Sequence, residues 1–305
     1  MAKIYPRAYF GDCIVRVEEA NLSIASSAVL YGLSVYTVFP VCSASGGVVG
    51  FRLADHWQRL SNSAKIIGID TFAKDWNEER FQEAVRNVIA ENDIKEDVFV
   101  RATIHVSDLV PGVRSRGLGT TLSIFIYEAA SILPSRGARL KTSVWRRIPD
   151  YSIPSRAKVN GAYVNSVLAR QDALDSGYDD CIFLDVAGHV CELSAANVFM
   201  IRDGVLYTPD QASDILEGIS RRTILTLARD MGIPTQERTI DLTELYVADE
   251  VFAAGTSAFL TPVLEIDKRI VGDGKIGPIT AKLKEKYFDV LHGKAVEYKD
   301  FLTEF

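Results

Sequence analysis

Paired apolar runs hinged on glycine constrain this fold more than any other feature. Gly11-Asp12 separates Ile4–Phe10 from Ile14–Val17, and Gly46-Gly47 separates Ser34–Cys42 from Val48–Phe51. Val186-Ala187-Gly188 lies between Cys181–Asp185 and His189–Leu193, and Asp203-Gly204 between Val198–Arg202 and Val205–Tyr207. Short Gly turns match the twist of antiparallel strands, so these runs predict hairpins. Residues 98–106 and 120–127 are also strand-like. Helical spacing appears between them: Trp57, Leu60, Ala64 and Ile67 with Asp55 as the expected cap; Phe81, Val85, Val88 and Ile89; and residues 161–177 and 279–291. A helix over 219–231 is closed by Gly232 and Pro234. Hairpins with interspersed helices predict an α+β chain. No GxGxxG opens a helix after a strand, so a dinucleotide fold has no support.

The 305 residues allow one large domain or two ordinary ones. The small-residue stretch Glu128–Gly137, with Pro134, reads as a linker. The expected division is a small N-terminal domain over 1–128, a linker over 129–137 and a larger C-terminal domain over 138–305. Net charge is -6, which argues against a sequence-independent nucleic-acid binder. No apolar run approaches the ~20 residues of a membrane span. Met1-Ala2-Lys3-Ile4-Tyr5-Pro6-Arg7 has no apolar signal core, so a cytoplasmic location is expected. Cys13, Cys42, Cys181 and Cys191 show neither CxxC spacing nor a His-rich neighbourhood, so reduced thiols and no metal are expected.

The chemistry centres on Lys158, in Ile153-Pro154-Ser155-Arg156-Ala157-Lys158-Val159-Asn160-Gly161-Ala162-Tyr163. Alone it reads as a surface lysine, but it sits among small and apolar residues just before a helix, where desolvation makes an amine nucleophilic. Tyr163 alone is a core-edge aromatic, and Glu192 alone a solvent-facing strand carboxylate. Arg52 sits between a strand and a helix, where it can pair bidentately with phosphate oxygens. Gly218-Ile219-Ser220 opens a helix whose free N–H groups attract an anion, and Gly255-Thr256-Ser257 is a turn that lets backbone amides approach a ligand. Each is weak by itself. In order, they supply what a pyridoxal phosphate site needs: an amine for a Schiff base, a carboxylate for the ring nitrogen, and phosphate binders.

These residues resemble the fold-type IV pyridoxal phosphate-dependent enzymes, the two-domain fold of D-amino acid aminotransferase, and most of all the branched-chain amino acid aminotransferases. The resemblance runs from about Phe10 to Gly293. It includes Phe51-Arg52, Gln58-Arg59-Leu60, Ala157-Lys158, Asp203-Gly204-Val205-Leu206, Leu245-Tyr246, Ala248-Asp249-Glu250-Val251-Phe252, Gly255-Thr256 and Thr261-Pro262-Val263. It implies that Lys158 is the Schiff-base and proton-shuttling lysine, that Glu192 pairs with the pyridine nitrogen and that Tyr163 bonds the ring oxygen. Arg52, Gly218, Ile219, Ser220 and Thr256 would hold the phosphate, and Leu216 would pack on the ring. Thr256 and Ser257 would bind the substrate α-carboxylate, with Tyr31, Tyr36 and Val113 lining the side-chain pocket. Arg101 would read the glutamate side-chain carboxylate from a neighbouring subunit, so a homodimer or higher homo-oligomer is expected.

The activity implied is transamination between an apolar, branched-chain-like amino acid and 2-oxoglutarate, with amino and keto acids as the partners. One stretch departs from the pattern. Where branched-chain enzymes carry Phe-Glu-Gly-Ile-Arg, this chain reads Tyr36-Thr37-Val38-Phe39-Pro40, so Phe39 and Pro40 are expected to make the pocket more apolar. D-amino acid and (R)-amine aminotransferases differ mainly there and stand as alternatives. So does a lyase similar to aminodeoxychorismate lyase, which needs no second keto acid; Arg101 favours the aminotransferase. A non-enzymatic cofactor-binding scaffold is disfavoured by the intact lysine, glutamate and phosphate groups.

Overall fold

The computed structural model describes residues 2–305. The chain divides into two compact units. One holds the segment through Ala130 together with Ala157–Gly161 and Val290–Phe305; the other holds Ser131–Arg156 and Ala162–Asp289.

In the first unit the glycine hinges give the expected hairpins: β1 (Arg7–Phe10) with β2 (Cys13–Arg16), and β3 (Ser34–Ala44) with β4 (Gly47–Phe51). A short α1 (Ser27–Tyr31) precedes β3. Helices α2 (Leu53–Ile66), α3 (Phe72–Asp75) and α4 (Glu78–Glu91) lie between β4 and β5 (Val98–Val106), and β6 (Thr120–Glu128) follows. Asn77 caps α4 by accepting from Arg80 N at 2.9 Å. The cap of α2 is Arg52 rather than Asp55, which falls in the first turn.

The remaining elements are β7 (Ala138–Thr142), α5 (Tyr163–Asp175), β8 (Asp180–Leu184), β9 (Val190–Leu193), β10 (Asn197–Arg202), β11 (Val205–Thr208), α6 (Ile219–Asp230), β12 (Thr235–Glu237), α7 (Leu242–Tyr246), β13 (Glu250–Gly255), β14 (Phe259–Ile266), β15 (Arg269–Ile270), α8 (Pro278–Leu291) and β16 (Leu302–Glu304). The last strand returns to the first unit and pairs antiparallel with β4, completing a sheet in the order β16-β4-β3-β5-β6-β1-β2. The sequence reading ran the C-terminal domain unbroken from 138 to 305. The chain contacts give two stretches of that span, Ala157–Gly161 and Val290–Phe305, to the first unit instead.

The seven-stranded sheet is antiparallel throughout, and its two faces differ in use. Along β3, Phe39 stacks against Phe81 of α4 and His56 of α2, and Trp57 meets Phe72 and Phe81 on the same side. Val100, Ala102, Ile104, Leu122, Ile124 and Ile126 are buried at alternate positions of β5 and β6. Of the intervening positions, Arg101, His105, Ser123 and Phe125 are only partly covered, whereas Phe99 and Thr103 are buried. The face carrying Arg101 and His105 is the more polar of the two.

In the second unit, strands ordered β10-β13-β14-β7-β8-β9 close into a ring because β9 also pairs with β10, at Glu192 and Asn197. Strands β11 and β12 extend outward from β10, and β15 pairs with β14. Leu140, Ile182, Leu193, Val198, Met200, Val251 and Val263 share one core, while Cys181, Phe183 and Cys191 pack against Ala169 and Ala173 of α5. The small alanines let that helix lie close to the strands. Glu250 caps α8 from β13 by accepting from Ile279 N at 3.0 Å and Thr280 N at 2.7 Å. No helix among the described residues is long and apolar enough to cross a membrane.

Candidate active site

In the first unit, Lys158 is fixed by its backbone. Its N–H donates to Ser63 Oγ of α2 at 3.0 Å, and its carbonyl accepts from Tyr36 N of β3 at 3.0 Å. Val159 bridges Val35, and Asn160 N donates to Ser34 O at 3.0 Å. Gly32 adopts φ +64, and a Cβ there would stand 3.0 Å from Gly161 Cα, so two glycines let the end of α1 touch this segment. The Lys158 amine ends 4.9 Å from the centroid of the Tyr36 ring.

Arg101 reaches the same ring. Its register partner on β3 is Val38, which places it diagonal to Tyr36 on the polar face. Its guanidinium carbon is 3.7 Å from the Tyr36 centroid, and Nη2 donates to Asn160 Oδ1 at 2.6 Å. Arg101 and Lys158 of one chain thus both approach the Tyr36 ring. Nearby on that face, His105 bonds Ser123 Oγ at 2.9 Å. Burial, with Arg101 adding to it, pushes the His105 imidazole down to about 4, so it is neutral at pH ~7.

The departures at 37 and 39 fall on the other face. Thr37 Oγ1 bonds His56 Nδ1 at 2.7 Å and accepts from Arg59 Nη2 at 3.2 Å, and Phe39 packs on His56 and Phe81. Phe39 therefore joins the helix-side core and not the face carrying Lys158. The cause is the two-residue period of the strand.

Arg52 is held in an unusual state. It caps α2 with φ 51, a left-handed conformation that costs a non-glycine residue about 1–3 kcal/mol. Its N–H donates to Phe301 O at 2.6 Å, its guanidinium carbon lies 4.3 Å from the Phe301 centroid, and Nε pairs with Asp55 at 2.5 Å. The C-terminal return thus helps orient this arginine. Tyr31 and Val113 are 47% and 93% exposed.

In the second unit, Glu192 sits where the strand ring closes and is 6% exposed. Its Oε1 pairs with Arg147 Nη2 at 2.9 Å. Its Oε2 accepts from Asn197 Nδ2 at 3.1 Å and Leu216 N at 3.2 Å. Asn197 Nδ2 also donates to Leu216 O at 3.0 Å, so the loop before α6 is laced to the carboxylate. Arg147 supplies the countercharge that lets a carboxylate be buried here. Sequence reasoning missed Arg147, which follows β7 in the unremarkable run Val144-Trp145-Arg146.

Gly218 caps α6, and a Cβ there would fall 2.1 Å from Asn197 Oδ1, so only glycine fits. The first N–H groups of α6, from Ile219 onward, lack helical acceptors. Ser220 is buried, and its hydroxyl is 3.0 Å from that of Tyr287 on α8, a second partner the sequence did not signal. Thr256 and Ser257 form the turn between β13 and β14, and Gly255 lies close to Ala195 and Ala196. Tyr163 is the first residue of α5, partly covered.

Unit by unit, these groups are of the kinds a phosphorylated pyridine aldehyde calls for: in the first a fixed lysine suits a carbonyl, and in the second a buried carboxylate suits a ring N–H and a helix start suits a phosphate. The burial of Cys181 and Cys191 pushes both thiols well up, so neither competes as a nucleophile.

A family model described as amino-transferase class IV matches residues 35–266, more than half of the chain. A probable branched-chain-amino-acid aminotransferase of Aquifex aeolicus is 39% identical over 300 residues, covering 97% of this chain and 96% of that protein. The crystal structure of a branched-chain aminotransferase from Thermoproteus uzoniensis with norvaline aligns with a TM-score of 0.94 at 36% identity, covering 98% of this chain and 99% of that one. The PLP-form (holo-form) of the enzyme from Thermobaculum terrenum aligns with a TM-score of 0.91 at 30% identity, covering 98% of each. With the fold, the matched model and full-length relatives in agreement, the chain belongs to the class IV aminotransferases.

Proposed function

We propose that the protein is a pyridoxal phosphate-dependent branched-chain amino acid aminotransferase that passes the amino group of an apolar amino acid to 2-oxoglutarate. The observation that carries this reading is the shared ring of Tyr36, which has the Lys158 amine and the Arg101 guanidinium over it in one chain. A dicarboxylate acceptor needs such a guanidinium near the reacting amine; a lyase with no second keto acid does not. Thr37 and Phe39 turn toward the helices, so half of the departure from the family motif leaves the Lys158 face untouched. This supports the branched-chain reading over the D-amino acid and (R)-amine alternatives.

Bound pyridoxal phosphate supplies the carbonyl that takes the amino group and a ring that withdraws electrons from the substrate α-carbon. The protein holds and steers. Lys158 would hold the cofactor covalently and, once released, move the proton at the α-carbon. Glu192, paired with Arg147, would hold the ring-nitrogen proton, and Tyr163 would donate to the ring oxygen. Arg52, Thr256 and the amides of Ile219 and Ser220 after Gly218 would bind the phosphate, with Leu216 against the ring. Thr256 and Ser257 would take the α-carboxylate and Arg101 the distal one. Tyr36 would line the side-chain pocket.

A homodimer fits the exposed apolar surface of the first unit. Ser26 bridges Leu109, and Val110 N donates to Ala25 O at 2.9 Å, which brings the loop after β5 alongside α1. Val29, Leu30, Tyr31, Leu109, Val110 and Val113 are all exposed there, the kind of apolar surface that a second copy would cover. In this reading Tyr31 and Val113 serve a pocket completed by a second copy.

A half-reaction screen tests the donor. The purified protein is mixed separately with L-leucine, L-glutamate, D-alanine and an (R)-aryl amine while loss of the cofactor's visible band is followed. Fast loss with L-leucine and L-glutamate is expected. Loss confined to D-alanine or the aryl amine would overturn the assignment.

A further inference from the structure

A second set of ligating side chains lies in the first unit, apart from the residues assigned above. Cys42 is near the end of β3, Asp97 immediately precedes β5, and His292 immediately follows α8. One donor atom from each lies within 4.8 Å of the other two. Cys42, 2% exposed, forms the floor. The Asp97 and His292 side chains, 41% and 24% exposed, form the rim.

Asp97 is already oriented. Its Oδ1 accepts from Ser43 N at 2.8 Å and Ser43 Oγ at 3.0 Å, which turns Oδ2 to His292 Nε2 at 3.0 Å. Gly293, at φ +68, makes the turn that follows His292. An Asp–His pair alone is ordinary. A thiol beneath it changes the chemistry on offer, because sulfur, imidazole and carboxylate together match a borderline-soft divalent ion, whereas magnesium and calcium take oxygen ligands.

We propose that Cys42, Asp97 and His292 form a binding site for a divalent ion of the zinc class, with solvent completing a four-coordinate shell. Ligand bonds of about 2.0–2.3 Å require donor atoms to close to roughly 3.3–3.8 Å of one another. Rotation of His292, with Asp97 shifting while Oδ1 stays on Ser43, would supply that movement. As the ion binds, the thiol proton leaves to solvent, the proton that His292 Nε2 shares with Asp97 moves to Nδ1 or to solvent so that Nε2 can ligate, and nothing is oxidised. The ion would fasten β3 and the start of β5 to the chain returning from α8. That return carries Phe301, which stacks on Arg52, and β16, which pairs with β4. The expected role is a staple on the C-terminal segment.

The test uses the intact protein after chelator treatment and dialysis, titrated with Zn2+ by calorimetry and with Co2+ by visible absorption. One ion per chain, a raised Tm and tetrahedral cobalt bands with thiolate charge transfer are expected. Cys42→Ser and His292→Asn should each weaken binding at least about tenfold. His292→Asn should leave aminotransferase activity in metal-free buffer unchanged. Should Cys42→Ser fold poorly, His292→Asn and the cobalt spectrum of the wild-type protein decide. Absence of saturable binding, octahedral cobalt without a thiolate band, or undiminished binding in His292→Asn would overturn the proposal.

Discussion

Arg101 and Lys158 stand over one aromatic ring: the guanidinium carbon lies 3.7 Å, and the lysine Nζ 4.9 Å, from the centroid of Tyr36. Both belong to the same chain and the same structural unit. Asn160, two residues past Lys158, accepts from Arg101 at 2.6 Å, which aims the guanidinium and satisfies part of it within the chain itself. A pocket that takes both an apolar and an acidic substrate needs that property, since an unpaired buried charge is costly.

Arg101→Ala is expected to weaken the half-reaction with L-glutamate by about 10- to 100-fold, the worth of a lost charge-assisted hydrogen bond of about 1.5–3 kcal/mol. Reaction with L-leucine should change far less. If Arg101 acts in its own chain, as its approach to the Tyr36 ring beneath Lys158 favours, mixing inactive Lys158→Ala subunits with Arg101→Ala subunits should restore no glutamate activity. Recovery in mixed oligomers would show that the arginine acts across subunits.

Glu192→Gln keeps an acceptor for Asn197 and Leu216 but removes the charge opposite Arg147. Half-reaction rates should fall about a hundredfold, equivalent to ~3 kcal/mol, and stability by about 2 kcal/mol. Arg147→Met should also destabilise, and the double variant should recover part of the loss, as a double-mutant cycle in denaturant would read. Additive losses would mean that the pair is not coupled.

Gly218→Ala would drive a methyl into Asn197 Oδ1, 2.1 Å from the built Cβ. Asn197 holds both Glu192 and the Leu216 carbonyl, so the strain should spread to the cofactor residues. A stability loss of about 1–3 kcal/mol is expected, together with weaker pyridoxal phosphate retention on dialysis. Wild-type retention would separate Gly218 from the phosphate site.

His105 gives a pH signature. Its folded-state pKa of about 4 lies below the ordinary 6.5 because of burial and Arg101. At pH above about 6.5 neither folded nor unfolded chain carries the extra proton. Between about 6.5 and about 4 the unfolded chain takes it up and the folded chain does not, so stability falls as pH falls through that window. His105→Gln, which can still bond Ser123, should flatten that slope in urea melts at pH ~7 and ~5. An unchanged slope would place the acid sensitivity elsewhere.

Glycine turns made the hairpins legible from sequence, and Gly232 with Pro234 marked the end of α6 to within a residue. The start of α2 was misplaced because nothing local signals that Arg52 takes φ 51; Phe301, far along the chain, holds it there. The short polar strand Leu302–Glu304 carries no strand pattern of its own, so its pairing with β4, and the domain boundary with it, could not be read. Lys158 and Glu192 were visible as motif residues. Arg147 was not, because the β7-β8-β9 pairing and its own N–H bond to Leu184 O bring it to Glu192 from far along the chain. The separation of Thr37 and Phe39 from Tyr36 follows from strand alternation, which a motif read as a string conceals.

The central claim is that Lys158 carries the cofactor. Borohydride reduction of the cofactor-loaded protein, followed by proteolysis and mass mapping, tests it most directly. A reduced phosphopyridoxyl mass on the peptide containing Lys158, lost in Lys158→Ala together with the half-reaction, is the predicted result. A label on another lysine, or undiminished half-reaction in Lys158→Ala, would contradict the account.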